Sequence, residues 1–295
     1  MGVVLGENQY GKAQIRLMKV DRDAESHVLH DLNVSVSLAG DFAATHLVGD
    51  NSTVLPTDTQ KNTVYAFARE HGVGEIEDFA LLLARHFVDS QPSITWARVD
   101  IEEYSWENLE IGGAVAPHSF FNAGREIRTT SVTFNGTGAW VVSGVSDLVL
   151  LSSTGSEFRG YIKDEYTTLA EASDRILCTS LTARWRHDVT RYDSRRSDWR
   201  TSYDVARNSL TEAFGDTYSK SLQQTLYVLG ERLITSCEGV VEVRLSLPNR
   251  HHFLVDLSAF GLDNEGQVFH VDDRPYGLIE GTVLLDDAVA APEAW

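Results

Sequence analysis

Alternating apolar and polar residues predict strands with one buried face in the first half of the chain. Leu32, Val34, Val36 and Leu38 are separated by polar residues, which is the period of two that a half-buried strand shows. Residues 14–20 alternate in the same way just before them. The link between the two segments is about ten residues long, so an antiparallel pair is the simplest prediction.

Two helices are predicted to follow these strands. Residues 61–70 have a helical pattern, with Asp58 or Thr59 as the residue that caps its start. Apolar residues then repeat every four positions over residues 75–89, which predicts a second amphipathic helix. Two further strands are predicted after it, at residues 95–101 and 131–134.

The second half of the chain repeats this order of elements. The patterns predict, in turn, strands at 140–151 and 181–185, helices through 203–214 and 222–233, and strands at 241–247 and 253–257. Each half is therefore two strands, two helices and two strands, which predicts a duplicated α+β fold with antiparallel sheets and helices on one face. We expect one unit over residues 1–137 and a second over 138–295. Edge strands need partners, which favours oligomers.

The composition is that of a globular protein with an acidic surface. Of the 295 residues, 42% are hydrophobic, and 25 Lys and Arg against 43 Asp and Glu give a formal charge of −18. Such a surface repels nucleic acid and anionic membranes, so neither is an expected partner. An anionic substrate would have to bind individual Arg or Lys side chains. Without a signal peptide, an apolar spanning segment or a C-terminal peroxisomal tripeptide, the expected location is the cytoplasm.

Several common chemistries lack their sequence motifs. No Gly-x-Gly-x-x-Gly, Walker-type or Gly-x-Ser-x-Gly motif is present. Cys178 and Cys237 stand alone, so neither a disulfide framework nor a cysteine zinc site is expected. The ten histidines show no metal-binding spacing. A cluster of basic residues is a weak candidate for an anion patch, although a solvated loop is favoured: Arg191, Arg195, Arg196 and Arg200.

Three short polar stretches remain, at residues 10–12, 56–63 and 246–251. Each one alone favours a turn or a helix cap. In their order along the chain, and with further motifs, they resemble the urate oxidase (uricase) family. The motifs that carry this resemblance are Tyr10-Gly11-Lys12, Thr57-Asp58, Lys61-Asn62-Thr63, Pro117-His118-Ser119-Phe120, Asp164-Glu165-Tyr166-Thr167-Thr168-Leu169, Asp174-Arg175-Ile176-Leu177 and Leu247-Pro248-Asn249-Arg250-His251.

The resemblance implies a fold, an assembly and a reaction. The fold is a tandem pair of tunnelling-fold (T-fold) units, which assemble as a homotetramer into a tunnel-shaped barrel. The reaction is oxidation of urate by molecular oxygen and water to 5-hydroxyisourate and hydrogen peroxide, with no metal, flavin or other cofactor. Urate is an electron-rich anion, so the protein need only position it, polarise it and relay protons.

The resemblance also implies which residues bind the purine. Arg175 resembles the guanidinium that binds one edge of the ring, a planar donor pair that Lys would not replace. Gln223 resembles the amide on the opposite edge, and Phe158 the ring that stacks on the purine. Leu222 and Asp58 would contribute main-chain N–H groups.

A proton relay and an oxygen site complete the implied machinery. Lys12, Thr57 and His251 resemble the relay, in which the lysine amine draws a proton through the threonine hydroxyl and water. Asn249 and Thr57 resemble the pair that holds oxygen, and later water, above the ring. Lys12, Thr57 and Asp58 would come from one subunit and the remaining residues from its neighbour.

Structural roles compete with these assignments at single positions. In the absence of the resemblance, Arg175 in a helical-looking segment would be an exposed ion pair, Phe158 a core residue and Gln223 a surface residue. Two other functions also compete: a non-catalytic purine-binding protein of this fold, and a zinc-dependent pterin enzyme of this fold. The second needs a His or Cys ligand cluster that the sequence does not assemble.

Overall fold

The structure of the protein is a computed structural model that describes residues 2–188 and 198–295. Arg191, Arg195 and Arg196, the centre of the weakly predicted anion patch, lie outside the described residues. The elements are β1 (Tyr10–Asp21), β2 (Val28–Gly40), α1 (Ala43–Val48), α2 (Thr57–Glu70), α3 (Ile76–Ser90), β3 (Ile94–Ile111), β4 (Ala114–Phe134), β5 (Ala139–Ser152), β6 (Leu177–His187), α4 (Trp199–Asp216), α5 (Leu222–Ser236), β7 (Val240–Leu254) and β8 (Phe269–Leu284).

The strands form an antiparallel sheet in chain order, from β1 to β8. Helices α1, α2 and α3 lie between β2 and β3, and α4 and α5 lie between β6 and β7, so the predicted α+β class is confirmed. No helix within the described ranges has both the length and the apolar character needed to cross a bilayer.

One compact unit comprises Met1–Gly144, Arg186–Arg200 and Val289–Trp295. Its core lies between the sheet and α3. The predicted alternation of β2 is confirmed, because Leu32, Val34, Val36 and Leu38 are buried and the polar residues between them are half-buried. Side chains from both elements are fully buried in this core: Leu32, Val34 and Leu38 of β2, and Phe79, Leu83 and Phe87 of α3.

The other compact unit comprises Val145–Trp185 and Thr201–Ala288. Helices α4 and α5 contribute Leu210, Leu229 and Leu233 to a core shared with β6 and β7. Gly230 of α5 faces β8, where an added Cβ would overlap the side chain of Val283. The small residue lets the helix pack closely on the sheet. The predicted boundary of the duplicated units, between residues 137 and 138, stays a prediction.

Three local predictions are wrong. Helix α2 begins at Thr57 with Pro56 as its N-cap, so neither Asp58 nor Thr59 caps it. Arg175 lies in an irregular segment before β6 and not in a helix. No separate strand covers residues 253–257, because β7 continues to Leu254 and the last strand is β8. The sequence analysis did not predict β8, in which no residue is fully buried, although Ile279 and Val283 pack against the core of the second unit.

Candidate active site

Lys12 lies half-buried on β1, opposite Val36 of β2. Gly11 before it is required by close packing, because a Cβ there would overlap the carbonyl oxygen of Val36. Directly after Lys12 the strand register shifts at a bulge, in which Gln14 has a φ of 57°. Bulges commonly redirect a side chain beside a site. The lysine thus stands at a local break in the β1–β2 ladder.

Thr57 and Asp58 are the first two residues of α2. The preceding Pro56 has φ −55° and ψ 141°, and no side chain caps this helix end. The first N–H groups of a helix have no partner within the helix, and they carry its partial positive charge. The N–H groups of Thr57 and Asp58 are therefore placed to bind an anion.

The Asp58 carboxylate lies close enough to Lys12 to be affected by the charge of its amine. Its carboxylate accepts hydrogen bonds from Lys61 and, at 3.1 Å, from Asn62. The hydrogen bond and charge of Lys61 hold the pKa of Asp58 below its usual value, and the hydrogen bond from Asn62 and the charge of Lys12 lower it further. Lys12, Thr57 and Asp58 therefore lie together in the first unit.

Arg175 and Phe158 are in direct contact in the second unit. The guanidinium carbon of Arg175 lies 5.2 Å from the centroid of the Phe158 ring, a cation–π distance. Burial lowers the pKa of Arg175. Its Nε atom is buried and has no hydrogen-bond partner among the residues described. An unpaired buried donor costs free energy, so this nitrogen is poised to bind a ligand acceptor.

Hydrogen bonds join the segments that carry these two side chains. Phe158 and Ala172 exchange backbone hydrogen bonds of 2.8 and 3.0 Å. Two residues further on, the carboxylate of Asp174 accepts from Thr154 Oγ1 at 2.7 Å and from the N–H of Gly155 at 2.9 Å. The bond from Thr154, followed by that from Gly155, lowers the pKa of Asp174. These hydrogen bonds hold Phe158 and Arg175 within one connecting segment, residues 153–176.

Leu222 and Gln223 begin α5, and Ser221 and Gln224 cap this helix start in the manner of a capping box. Ser221 Oγ accepts from the N–H of Gln224 at 3.1 Å, and Gln224 Oε1 accepts from the N–H of Lys220 at 2.8 Å. Leu222 is buried and Gln223 is exposed. As the first two helical residues, they carry N–H groups that the helix itself leaves unpaired.

Hydrogen bonds also join the residues before α5 to the connecting segment that contains Phe158. The N–H of Glu157 donates to Ser219 O at 2.8 Å, and the N–H of Ser219 donates to Gly155 O at 3.0 Å. Tyr218 also donates its hydroxyl to Glu157 at 3.0 Å. The structure therefore brings the predicted purine-binding residues of the second unit into one neighbourhood: Phe158, Arg175, Leu222 and Gln223.

Asn249 and His251 lie half-buried on β7, opposite Gly277 and Asp272 of β8. The register shifts between them, so a bulge separates the two side chains. The His251 ring stacks on Phe253 at 5.7 Å between centroids. These contacts join both residues to their own strand pair.

Cysteine and metal chemistry receive no support from the described part of the chain. Cys178 and Cys237 are buried free thiols. Burial raises the pKa of both, that of Cys237 to about 11, so neither is poised as a thiolate nucleophile. Within the described residues, no three His, Cys, Asp or Glu side chains are grouped so that they could hold a metal ion.

Sequence reasoning assigned no role to the residues that support the site. The capping box could have been found, because Ser221 and Gln224 have its spacing. Asp174 and Tyr10 belonged to recognised motifs, but their partners are distant in sequence. Asp174 bonds to Thr154 and Gly155, and Tyr10 to Leu55. No local pattern predicts such pairs.

Comparison with known proteins gives one consistent result. The family model described as Uricase matches residues 8–133 and 141–280. A uricase from Arthrobacter globiformis is 44% identical over 293 residues, which are 99% of this chain and 94% of that protein. A uricase from Dictyostelium discoideum is 35% identical over 94% of this chain and 96% of its own length.

Solved structures agree with these sequence matches. The crystal structure of the uricase from Arthrobacter globiformis superposes with a TM-score of 0.92, covering 99% of this chain and 98% of that one. A uricase structure from Bacillus fastidious, at 25% identity, gives a TM-score of 0.79 over 95% and 94% of the two chains.

Proposed function

Because this chain belongs to the uricase family, we propose that it oxidises urate with molecular oxygen and water to 5-hydroxyisourate and hydrogen peroxide. Urate gives up two electrons, oxygen takes them with two protons to become peroxide, and water supplies the hydroxyl that is added to the purine. The observation that carries the proposal is the whole-length family match, combined with a buried, unpaired arginine nitrogen beside an aromatic ring.

Urate binds, on this proposal, between donors suited to a flat anion. Arg175 forms two hydrogen bonds to one edge of the purine, Gln223 binds the other edge, and Phe158 stacks on the ring. The main-chain N–H groups of Leu222 and Asp58 add further donors. Both groups lie at helix N-termini, where the partial positive charge favours an anion, and this supports the assignment.

The chemistry rests on three side chains that move protons. Lys12 takes a proton from urate through the hydroxyl of Thr57 and a water molecule, and His251 completes the relay. Asn249 and Thr57 hold oxygen, and then water, over the ring. The charge of Lys12 lowers the pKa of Asp58, so Lys12 lies near the start of α2. This proximity supports the pairing of Lys12 with Thr57. No cofactor enters these steps.

The candidate residues divide between the two compact units. Lys12, Thr57 and Asp58 belong to the first unit, and the other six belong to the second. We propose that the first unit of one subunit and the second unit of its neighbour build each site, within a homotetramer whose T-fold sheets enclose a tunnel.

The two unpaired thiols support a reducing, cytoplasmic location.

The activity is tested with purified protein and urate in the presence of a metal chelator. We expect the urate ultraviolet band to disappear while hydrogen peroxide accumulates, in equal molar amounts. Binding of urate without turnover would favour a purine-binding protein. Turnover that follows a stoichiometric zinc content would favour a zinc enzyme of the same fold and would contradict the proposal.

A further inference from the structure

Tyr10 joins strand β1 to the loop that precedes α2. Its hydroxyl donates to the carbonyl oxygen of Leu55 at 3.0 Å and accepts from the N–H of the same residue at 2.9 Å. One side-chain oxygen thus satisfies both backbone groups of Leu55, in a segment that has no strand partner of its own. Backbone groups in such loops need partners, and here Tyr10 supplies them.

The positions of these two residues match those of Lys12 and Thr57. Tyr10 stands two residues before Lys12, and Leu55 stands two residues before Thr57. Tyr10 and Lys12 share a face of β1 and lie about 7 Å apart, and only the extended Pro56 separates Leu55 from Thr57. The phenol therefore fixes the spacing between β1 and the loop one step away from the amine and hydroxyl of the proposed relay.

The Tyr10 side chain is itself held firmly. Its ring meets the ring of Phe42 edge-on, with centroids 4.9 Å apart, and Phe42 is fully buried. The buried Gln60 of α2 donates its amide to Leu55 O at 3.3 Å. Burial raises the pKa of Tyr10, so the hydroxyl keeps the proton that it donates.

We propose that Tyr10 is a positioning residue for the proton relay, setting the distance between Lys12 and Thr57 through its two hydrogen bonds to Leu55. The inference rests on the proposed urate oxidation and adds to it a residue that contacts neither urate nor oxygen. Small displacements of reacting groups reduce rates far more than they reduce binding. The hydroxyl of Tyr10 should therefore affect turnover and leave the affinity for urate unchanged.

The test is the variant Tyr10→Phe, which keeps the ring against Phe42 and removes the hydroxyl. We expect kcat to fall about tenfold or more, with KM for urate within about twofold of the wild-type value. The matched control is Tyr65→Phe. The Tyr65 hydroxyl also joins α2 to β1, through Arg16 O at 3.2 Å, but beyond the bulge. This control should keep the wild-type kcat.

Two further measurements separate positioning from a general loss of structure. In the Lys12→Met background, Tyr10→Phe should cause no additional loss, because the relay it serves is already absent. Amide hydrogen exchange of a peptide covering residues 53–59 should speed up in Tyr10→Phe and not in Tyr65→Phe.

A Tyr10→Phe enzyme with wild-type kcat, or one whose loss appears in KM, would overturn the inference. So would an equal loss in the Lys12→Met background, or unchanged exchange in residues 53–59. A wild-type protein without urate turnover would overturn the proposed function, and the inference with it.

Discussion

Each candidate side chain depends on a backbone feature beside it. Lys12 precedes a bulge, Thr57 and Asp58 begin a helix that no side chain caps, and Arg175 follows an aspartate that anchors its segment. The residue types were recognisable from motifs in the sequence. The neighbours that fix them were not, because Asp174 and Tyr10 bond to residues 19 and 45 positions away.

Replacement of Lys12 by Met tests the relay at the residue scale. Methionine preserves much of the side-chain volume and removes the amine, so urate binding should persist while kcat falls by about 10²- to 10⁴-fold. Steady-state kinetics and equilibrium binding of urate measure the two effects. Lys19→Met, on the same strand beyond the bulge, is the control and should be fully active. Equal turnover in Lys12→Met would refute the relay.

Replacement of Arg175 by Lys tests the purine clamp. Lysine keeps the positive charge and loses the planar pair of donors, so KM for urate should rise about 10- to 100-fold. Arg159→Lys is the control, because Arg159 is exposed and pairs with Glu157 at 3.1 Å. An unchanged KM in Arg175→Lys would show that the guanidinium does not bind urate.

His187 makes the folded state sensitive to acid. It is fully buried, with Nε2 3.1 Å from Ser143 Oγ, and burial lowers its pKa from 6.5 to about 3. In the unfolded chain His187 therefore binds a proton below about pH 6.5, whereas in the folded chain it binds one only near pH 3. The free energy of unfolding should fall by up to about 1.4 kcal/mol per pH unit across that window.

Urea unfolding at several pH values measures this effect. His187→Gln should have a flatter dependence between pH 6.5 and 4 than the wild type, whatever its absolute stability. The exposed His270→Gln should follow the wild-type curve. If His187→Gln and the wild type lose stability in parallel, His187 is not the titrating group.

At the scale of elements, the sequence predicted those parts that contribute to a core. The alternation of β2 and the four-residue repeat of α3 correspond to buried faces. The outer halves of β3 and β4 are mainly exposed, and β8 contributes only partly buried side chains to a core, so these segments were not predicted. The candidate site was recognised through motifs and not through periodicity. Its residues lie on four elements, β1, α2, α5 and β7, and on the segment between β5 and β6.

The capping box of α5 gives a prediction for an element. Ser221→Ala removes the side chain that bonds the N–H of Gln224, which should cost about 0.5–2 kcal/mol of stability. Because Leu222 and Gln223 begin this helix, KM for urate should rise severalfold as well. Thr235→Ala at the other end of α5 removes only hydrogen bonds within the helix, to Glu231 O and Arg232 O. It should leave KM unchanged, and a KM effect of equal size there would contradict a role for the cap.

At the scale of the whole molecule, positive groups at the candidate site contrast with a formal charge of −18. In the proposed site, Lys12, Arg175 and two helix N-termini would concentrate positive potential where the anion binds. In the proposed function, these local donors would supply the affinity that the acidic surface does not. If neighbouring subunits share each site, as we propose from the division of these residues between two compact units, assembly is a condition for activity.

The central claim is tested most directly by coexpressing two inactive variants, Lys12→Met and Arg175→Ala. If neighbouring subunits share each site, random mixing leaves about a quarter of the sites with both native residues. We predict that the mixed tetramers regain about a quarter of the wild-type urate oxidation, measured as peroxide release, while each variant alone remains inactive. Mixed tetramers that are verified by mass yet stay inactive would contradict the account.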